Sequence, residues 1–513
     1  MKNKMLTGQA GKVAFGILFS RILGYIRDML VANFFGVGVI ADIFYAALRI
    51  SNIFRRLLGE DSFSVAFVPI FNEYLHTKEK EKVQNFLNVI FTTLLLILIL
   101  ISILGILLSP FIVKIVVGGF GSSFEKIQLT VKIVKLIFPS VIFISLSIFL
   151  LAVLNTLNSF FIPALAPASL SCSEIFYMLI ILPMIISSNE NKIIGLAISV
   201  IVGGILHFFI QYAWLKKIGW SLKFKLDLSH PGVRKIIFLM IPSIIGLSVD
   251  QINILVDNRC ASSLEQGSLS ALYYSNRLIQ MPISVFGIAL VTTSLPAMSK
   301  AFIEKKITVL KDHLIQSICF IIFMLLPVTI SFMIIGLPII KLLFEHGKFD
   351  HSGAIMTNNI LFYYSFGLLA FALSKIFANA FYSFQNTKTP VRIAILSMIL
   401  HIILCIILIR PMGVCGLAFS TSLSSYFNLI LLVIKLKKYI GRLEIKEILA
   451  SFLKSFVASI IMGFVAFNMC KISNNLFISV PIGIFSSFII FCVVSYILKS
   501  KELKMFVKIF YNK

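Results

Sequence analysis

The sequence predicts an all-α, polytopic membrane protein of about 14 transmembrane helices, arranged as two six-helix lobes with two further helices towards the C-terminus. Three observations carry that prediction. Of 513 residues, 59% are hydrophobic and only 13% charged, with 49 phenylalanines and a mean hydropathy of +1.00, a balance outside that of a water-soluble domain. Apolar runs long enough to cross a ~30 Å hydrocarbon layer as helices follow one another almost end to end, without the strict alternation of barrel strands. The basic residues, in turn, gather in alternate connections between those runs.

Taken in order, the runs place helices at approximately 10–36, 40–74, 84–110, 127–155, 160–187, 192–215, 235–258, 268–299, 312–343, 352–384, 390–410, 413–434, 448–470 and 476–498. With the N-terminus in the cytoplasm, the connections on that side hold 28 Lys and Arg residues against 7 on the other, and the alternation fails if one span is miscounted. Excess Lys and Arg on short loops marks the cytoplasmic side, so both termini are expected there. The first run contains Arg21, Arg27 and Asp28 and reads as mature protein rather than a cleavable signal peptide. The seven cysteines are scattered and form no CxxC pair; they read as small packing residues.

Several function classes fall away. The net charge of +25 raises nucleic-acid binding, but the basic residues sit in short loops without an aromatic-interleaved platform, so no nucleic-acid partner is expected. An enzyme acting on lipid-linked phosphates needs an acid cluster for a metal, or a nucleophilic histidine, at a membrane face. Asp227 with His230, and His346 with Asp350 and His351, offer the needed groups, and loop solvation accounts for them. No Walker-type glycine loop is present, so ATP is not the direct energy source. The chain is read as non-enzymatic and without a cofactor.

The informative residues are charges inside the apolar runs. Arg21, Arg27, Arg49, Arg55 and Arg56 lie in the first two helices and Arg277 in the eighth. An arginine near the bilayer centre costs at least ~2.5 kcal/mol, so a cluster persists where it faces a watery cavity, a partner charge or a ligand. At ~100° per residue Arg21 and Asp28 share a helix face, and Asp42, Arg49 and Arg56 form a stripe. Ion pairs of Asp42 with Arg49, and of Asp28 with Arg27 or Arg21, are one reading. The other is an anion site: the arginines outnumber nearby acids, and a guanidinium fork matches a phosphate better than an ammonium does.

A short internal repeat bears on the architecture. YAALRI (45–50) resembles YYSNRL (273–278) at a separation of 228 residues, with Pro69 and Pro296 following at similar distances. That separation equals six spans. It pairs helix 2 with helix 8 and proposes an N-lobe over 1–220, a C-lobe over 221–440 and a C-terminal pair over 441–513. A repeat of even span number is parallel, with the site at the lobe interface near mid-membrane, so Arg49 and Arg277 are expected to face one cavity.

The segments SRILGYIRD (20–28), ADIFYAALRISNIFRRLLGEDSFSVAFVPIFNEY (41–74), YYSNRLIQMPISVFGIAL (273–290) and FYSFQNTKTPV (381–391) resemble the MviN/MurJ family of lipid II flippases. That family is part of the multidrug/oligosaccharidyl-lipid/polysaccharide exporter superfamily. The resemblance covers the whole chain and implies fourteen helices in two lobes around a cationic cavity, in the bacterial inner membrane. Lipid II is the implied cargo, carried for cell-wall biosynthesis, with its lipid tail along helices 13 and 14 and other cell-wall synthesis proteins as possible partners. By motif it implies substrate-binding roles for Arg21, Arg27, Arg55 and Arg277, with Asp28 beside Arg27 and Asp42 on helix 2. Asn276 and Gln280 stand where some members carry acids, so a salt bridge there gives way to hydrogen bonding; Glu60 keeps the family acid.

Some members bind sodium in the second lobe. The corresponding positions here are Asp257 and Thr421, but the helix 11 pair falls on His401 and Cys405. Hard cations want oxygen ligands, so this departure argues against sodium, and a packed, hydrogen-bonded histidine is the simpler reading than a transition metal. A multidrug antiporter or polysaccharide-lipid exporter on the same scaffold remains the alternative. Carriers of cationic drugs need acidic walls, against which the arginine excess speaks.

Overall fold

The computed structural model describes residues 2–56, 61–121, 123–186, 188–441, 444–473 and 475–511; Glu60 lies outside the described residues. Among the described residues every regular element is helical. In order these are α1 (Lys2–Phe35), α2 (Val39–Arg55), α3 (Asp61–Thr77), α4 (Lys80–Leu107), α5 (Ser109–Val117), α6 (Phe124–Ile137), α7 (Ser140–Thr156), α8 (Phe161–Leu165), α9 (Ala168–Phe176) and α10 (Asn189–Lys217). They continue as α11 (Pro231–Ala261), α12 (Ser268–Pro282), α13 (Ile288–Ile303), α14 (Ile307–Phe344), α15 (His351–Ser383), α16 (Lys388–Met412), α17 (Val414–Ile440), α18 (Ile445–Met469), α19 (Leu476–Ile497) and α20 (Lys501–Tyr511).

Ten helical stretches among the described residues are long and apolar enough to cross a membrane, and an eleventh is the bent pair Pro231–Ile241 and Gly246–Ala261. These match eleven of the fourteen expected spans. The other three, over 10–36, 40–74 and 268–299, are helical too, but α1 carries Arg21, Arg27 and Asp28 in its middle. The other two are divided into helices of 17, 17, 15 and 16 residues. In α1 the charged residues interrupt the apolar run, and in the other two stretches the separate helices are each too short to cross a membrane alone.

The chain forms two compact units, 1–269 and 270–513. In the first, a phenylalanine ladder organises the core. Phe63, Phe67 and Phe71 recur at every fourth position of α3, bringing them onto one helix face, and their rings stack at 5.2 and 5.1 Å. Phe149 of α7 meets Phe67 edge-on at 5.4 Å, a favoured geometry for aromatic pairs. Close approach elsewhere involves Gly105: a Cβ there would stand 2.0 Å from the ring of Phe138 at the end of α6, so any larger residue would displace that ring.

In the second unit Leu314, Ile318, Ile321, Ile322 and Leu325 of α14 pack against Leu369, Ala372 and Ile376 of α15 and Leu432 and Leu436 of α17. A smaller cluster joins Phe323 and Met324 of α14 to Ala458 and Met462 of α18 and Phe491 of α19. Helix α14 is kinked at Ile335, whose backbone is non-helical (φ −114°, ψ 19°). Pro338 three residues on explains it, since its ring removes one helix hydrogen bond and crowds the carbonyl four residues back.

Candidate substrate site

Arg27 is the best defined of the expected site residues. Its Nε and Nη2 donate to Asp28 Oδ1 at 3.0 and 2.7 Å, and Nη1 reaches Glu174 Oε1 of α9 at 3.4 Å. Asp28 is 1% and Glu174 3% exposed. A guanidinium supplies two donors on one edge and more at its tip, so one arginine ties two buried carboxylates and holds α1 against α9. Arg21 lies half-buried two turns earlier on α1.

Asp42, in the first turn of α2, accepts the Gly267 N–H at 2.7 Å. Gly267 has φ +93°, and a Cβ there would stand 2.5 Å from Val37 Cγ1, so this contact also requires glycine. A carboxylate near a helix N-terminus is favoured by the helix dipole. Arg49, two turns on, donates from Nη1 to Asn258 Oδ1 of α11 at 2.6 Å. The expected stripe of Asp42, Arg49 and Arg56 is present on the helix, and the hydrogen bonds described here lead from Asp42 and Arg49 to other segments. Arg55 occupies the last turn of α2, where a cation complements the dipole.

In the second unit, α12 presents two faces. Tyr274 and Ser275 are buried: the Tyr274 ring lies 5.2 Å from Phe344 and 5.5 Å from Phe349, and Ser275 Oγ donates to Thr357 O of α15 at 2.8 Å. Asn276, Arg277 and Gln280 lie on the less buried side, half-buried, half-buried and exposed. Their spacing puts them on one helix face. Just beyond, Pro282 leads into a π-helical turn, Ile283–Gly287, a local widening frequent at functional sites.

The residues expected at the degenerate sodium position behave as a packed polar group. His401 is 1% and Cys405 0% exposed. His401 Nε2 lies 3.3 Å from Thr421 Oγ1 and 3.4 Å from Cys405 Sγ, while Thr421 Oγ1 donates to Leu417 O at 3.0 Å. Thr421 offers an oxygen, whereas His401 and Cys405 offer a softer nitrogen and sulfur. Asp257 is half-buried on α11 in the first unit.

The loop groups weighed as enzymatic candidates are helix caps and turn residues. Asp227 Oδ1 accepts Ser229 N–H at 3.1 Å, His230 Nδ1 accepts Gly232 N–H at 3.1 Å, and Asp350 Oδ1 accepts Gly353 N–H at 2.9 Å. His346 Nε2 lies 3.0 Å from Leu342 O, and His351 Nδ1 3.1 Å from Glu345 Oε1.

Four polar residues escaped the sequence reading. Glu174 is a lone acid in the apolar stretch of α9, and scanning the spans for acids as well as arginines would have found it. Its presence narrows the excess of arginines over acids in the first unit. Asn258 had no signal of its own. His207 and Gln211, one turn apart on α10, are 4% and 0% exposed, and none of their four side-chain polar atoms has a partner among the described residues. Buried groups of this kind are normally satisfied by ordered water.

Comparison with known proteins decides the family. The profile described as lipid II flippase MurJ matches residues 31–486. The chain belongs to the MurJ lipid II flippase family. A probable lipid II flippase MurJ of Buchnera aphidicola subsp. Baizongia pistaciae is 35% identical over 463 residues, 90% of this chain and 88% of that protein. One from Vibrio cholerae is 37% identical over 423 residues, 81% of this chain and 80% of its own length. A solved lipid II flippase MurJ in an inward closed conformation superposes with a TM-score of 0.81 at 29% identity, covering 94% of this chain and 98% of that one. With its many apolar helices, this member of the MurJ family is a multi-pass protein of the bacterial inner membrane.

Proposed function

We propose that the chain carries lipid II from the cytoplasmic to the periplasmic leaflet by alternating access, without chemical conversion of the lipid. Arg27, Arg55 and Arg277 engage the pyrophosphate, with Arg21, Arg49, Asp42, Asn276 and Gln280 lining its path and Asp28 orienting Arg27. Both termini lie in the cytoplasm. Residues 1–220 and 221–440 act as the two lobes, and 441–513 supply the helices along which the undecaprenyl tail stays in lipid. Other cell-wall synthesis proteins are partners.

The observation that carries the reading is the engagement of Arg27. Charge-assisted N–H···O bonds are ~2.7–2.9 Å long; the bond to Asp28 meets that and the 3.4 Å contact to Glu174 does not. Asp28 therefore orients the guanidinium, while the longer contact from Nη1 to Glu174 marks the edge at which a phosphate oxygen competes for the arginine. Arg27→Ala, Arg55→Ala and Arg277→Ala are each expected to abolish complementation of flippase-depleted cells with the protein still in the membrane. Arg→Lys rescues poorly, because a point charge does not reproduce a bidentate contact. Normal growth with alanine at all three positions overturns the assignment.

A further inference from the structure

The connection between α10 and α11 is extended, and it is pinned to α4 by a regular ladder. Gln84, Asn88 and Thr92 stand one turn apart on one face of α4. Gln84 Nε2 donates to Ser221 O and its Oε1 accepts Ser221 N–H at 3.3 Å; Asn88 Oδ1 accepts Lys223 N–H at 2.9 Å, and Thr92 Oγ1 accepts Lys225 N–H at 2.8 Å. The chain then turns at Asp227 and returns to His230, whose ring lies 5.6 Å from Phe86. From Gln84 to Thr92 is eight residues, about 12 Å along the helix.

That excursion reaches the depth of the membrane boundary. Helix α4 has 28 residues, about 42 Å, against a hydrocarbon layer of ~30 Å, so its first turns project from it. Backbone entering an apolar zone needs its polar groups satisfied, and the ladder does this for the N–H groups of Ser221, Lys223 and Lys225 and for the Ser221 carbonyl. The side chains alternate with period two. Leu222, Phe224, Leu226 and Leu228 are apolar, the last three 78%, 58% and 62% exposed, and Ser221, Lys223, Lys225 and Asp227 are polar. The chain's two tryptophans, Trp214 and Trp220, stand at the same end of α10. Lys217 lies 5.0 Å over the Trp214 ring and Lys80 5.6 Å over Trp220. Tryptophan and lysine together mark the headgroup level. Beside the strap is a cleft of about 420 Å³ lined by Lys80, Glu81, Gln84, Asn85, Asn88 and Lys225.

We propose that residues 221–228 form a membrane-dipping strap, with Phe224, Leu226 and Leu228 in the acyl boundary and Lys225 and Lys80 holding the phosphate of an anionic phospholipid in that cleft. The two ammonium groups outnumber the single carboxylate of Glu81, and the amides of Asn85 and Asn88 supply neutral donors. The lipid binds in the leaflet at the C-terminal end of α10, whichever side of the membrane that is, so the site stands independently of the transport reading.

The two tryptophans make the test direct. The protein is reconstituted in bilayers of fixed phosphatidylglycerol and phosphatidylcholine content, with brominated acyl chains carried by one lipid or the other at equal mole fraction. Tryptophan emission is expected to be quenched more strongly by brominated phosphatidylglycerol. Each lysine removed, as Lys80→Gln or Lys225→Gln, lowers the relative affinity about fivefold, the equivalent of about 1 kcal/mol per surface lysine. Phe224→Gln with Leu226→Gln weakens quenching by both lipids, and Lys311→Gln, on α14 of the second unit, leaves the preference intact. Equal quenching by the two lipids in the unmodified protein overturns the proposal, as does a phosphatidylglycerol preference that survives Lys80→Gln with Lys225→Gln.

Discussion

Replacing Arg27 separates a pyrophosphate ligand from a structural strut, because the same guanidinium holds two buried acids. Its bonds to Asp28 are 3.0 and 2.7 Å and its contact to Glu174 is 3.4 Å. Arg27→Ala takes a cationic partner from both carboxylates, and breaking a buried pair in this way costs about 3–5 kcal/mol, a large share of a typical stability of about 5–15 kcal/mol. Loss of transport in that variant alone therefore has two explanations. The triple variant Arg27→Met, Asp28→Asn, Glu174→Gln removes the charges together, and neutral replacement of a whole buried ion group is often harmless. It is expected to recover the wild-type amount in the membrane and the wild-type unfolding midpoint, yet not transport. A charge-assisted contact is worth about 1.5–3 kcal/mol, so lipid II affinity falls about ten- to hundred-fold. Native mass spectrometry of the protein in nanodiscs, titrated with lipid II and paired with thermal unfolding, reads both quantities. Restored stability with undiminished lipid II affinity and full complementation would refute the reasoning and leave Arg27 as a strut.

Three further outcomes are expected. In intact spheroplasts, Lys78→Cys and Lys438→Cys resist an impermeant thiol reagent while Lys348→Cys reacts; labelling at 438 overturns the proposed orientation. Flipping survives replacement of sodium by choline and stops when an uncoupler collapses the membrane potential, which supplies ~2.3 kcal/mol per charge per 100 mV; a steep sodium requirement would mean that backbone carbonyls complete a site around Thr421. Asp350→Ala lowers stability by about 1 kcal/mol, the usual cost of losing an N-cap. The Gly353 N–H holds the Asp350 carboxyl below its ordinary range. The cap's contribution is thus complete above the ordinary carboxylate pKa and fades as pH falls through the depressed folded value, and an unfolding midpoint whose acid dependence is unchanged in the variant counts against it.

The membrane architecture was legible because a spanning helix must be apolar over about 20 residues, and runs such as 84–110 or 476–498 leave no other reading. The pairing of Arg27 with Asp28 was legible for a local reason, as adjacent residues on one helix. Its other partner was not: Glu174 is 147 residues away, and hydropathy says which segments are helices but not which of them pack together. The same holds for Arg49, whose bond to Asn258 spans 209 residues. Periodicity placed Asp42 and Arg49 on one stripe, but a stripe specifies a direction and not a partner. The breaks inside spans were visible only as prolines; that Pro338 kinks α14 while Pro327 is accommodated depends on surroundings that a single sequence does not display.

The ladder on α4 also bears on how this region changes over evolutionary time. What Asn88 and Thr92 accept at 223 and 225 are main-chain N–H groups, and every residue except proline presents the same group there. The strap's side chains are therefore at liberty to drift, exchanging one apolar residue or one cation for another, while its path across the protein stays constant. The constraint falls instead on three helix positions whose side chains must keep hydrogen-bonding oxygens of suitable length. Relatives that retain this path should show a variable connection running over an invariant polar row, a pattern in which the conserved residues lie beside the segment they govern and not within it.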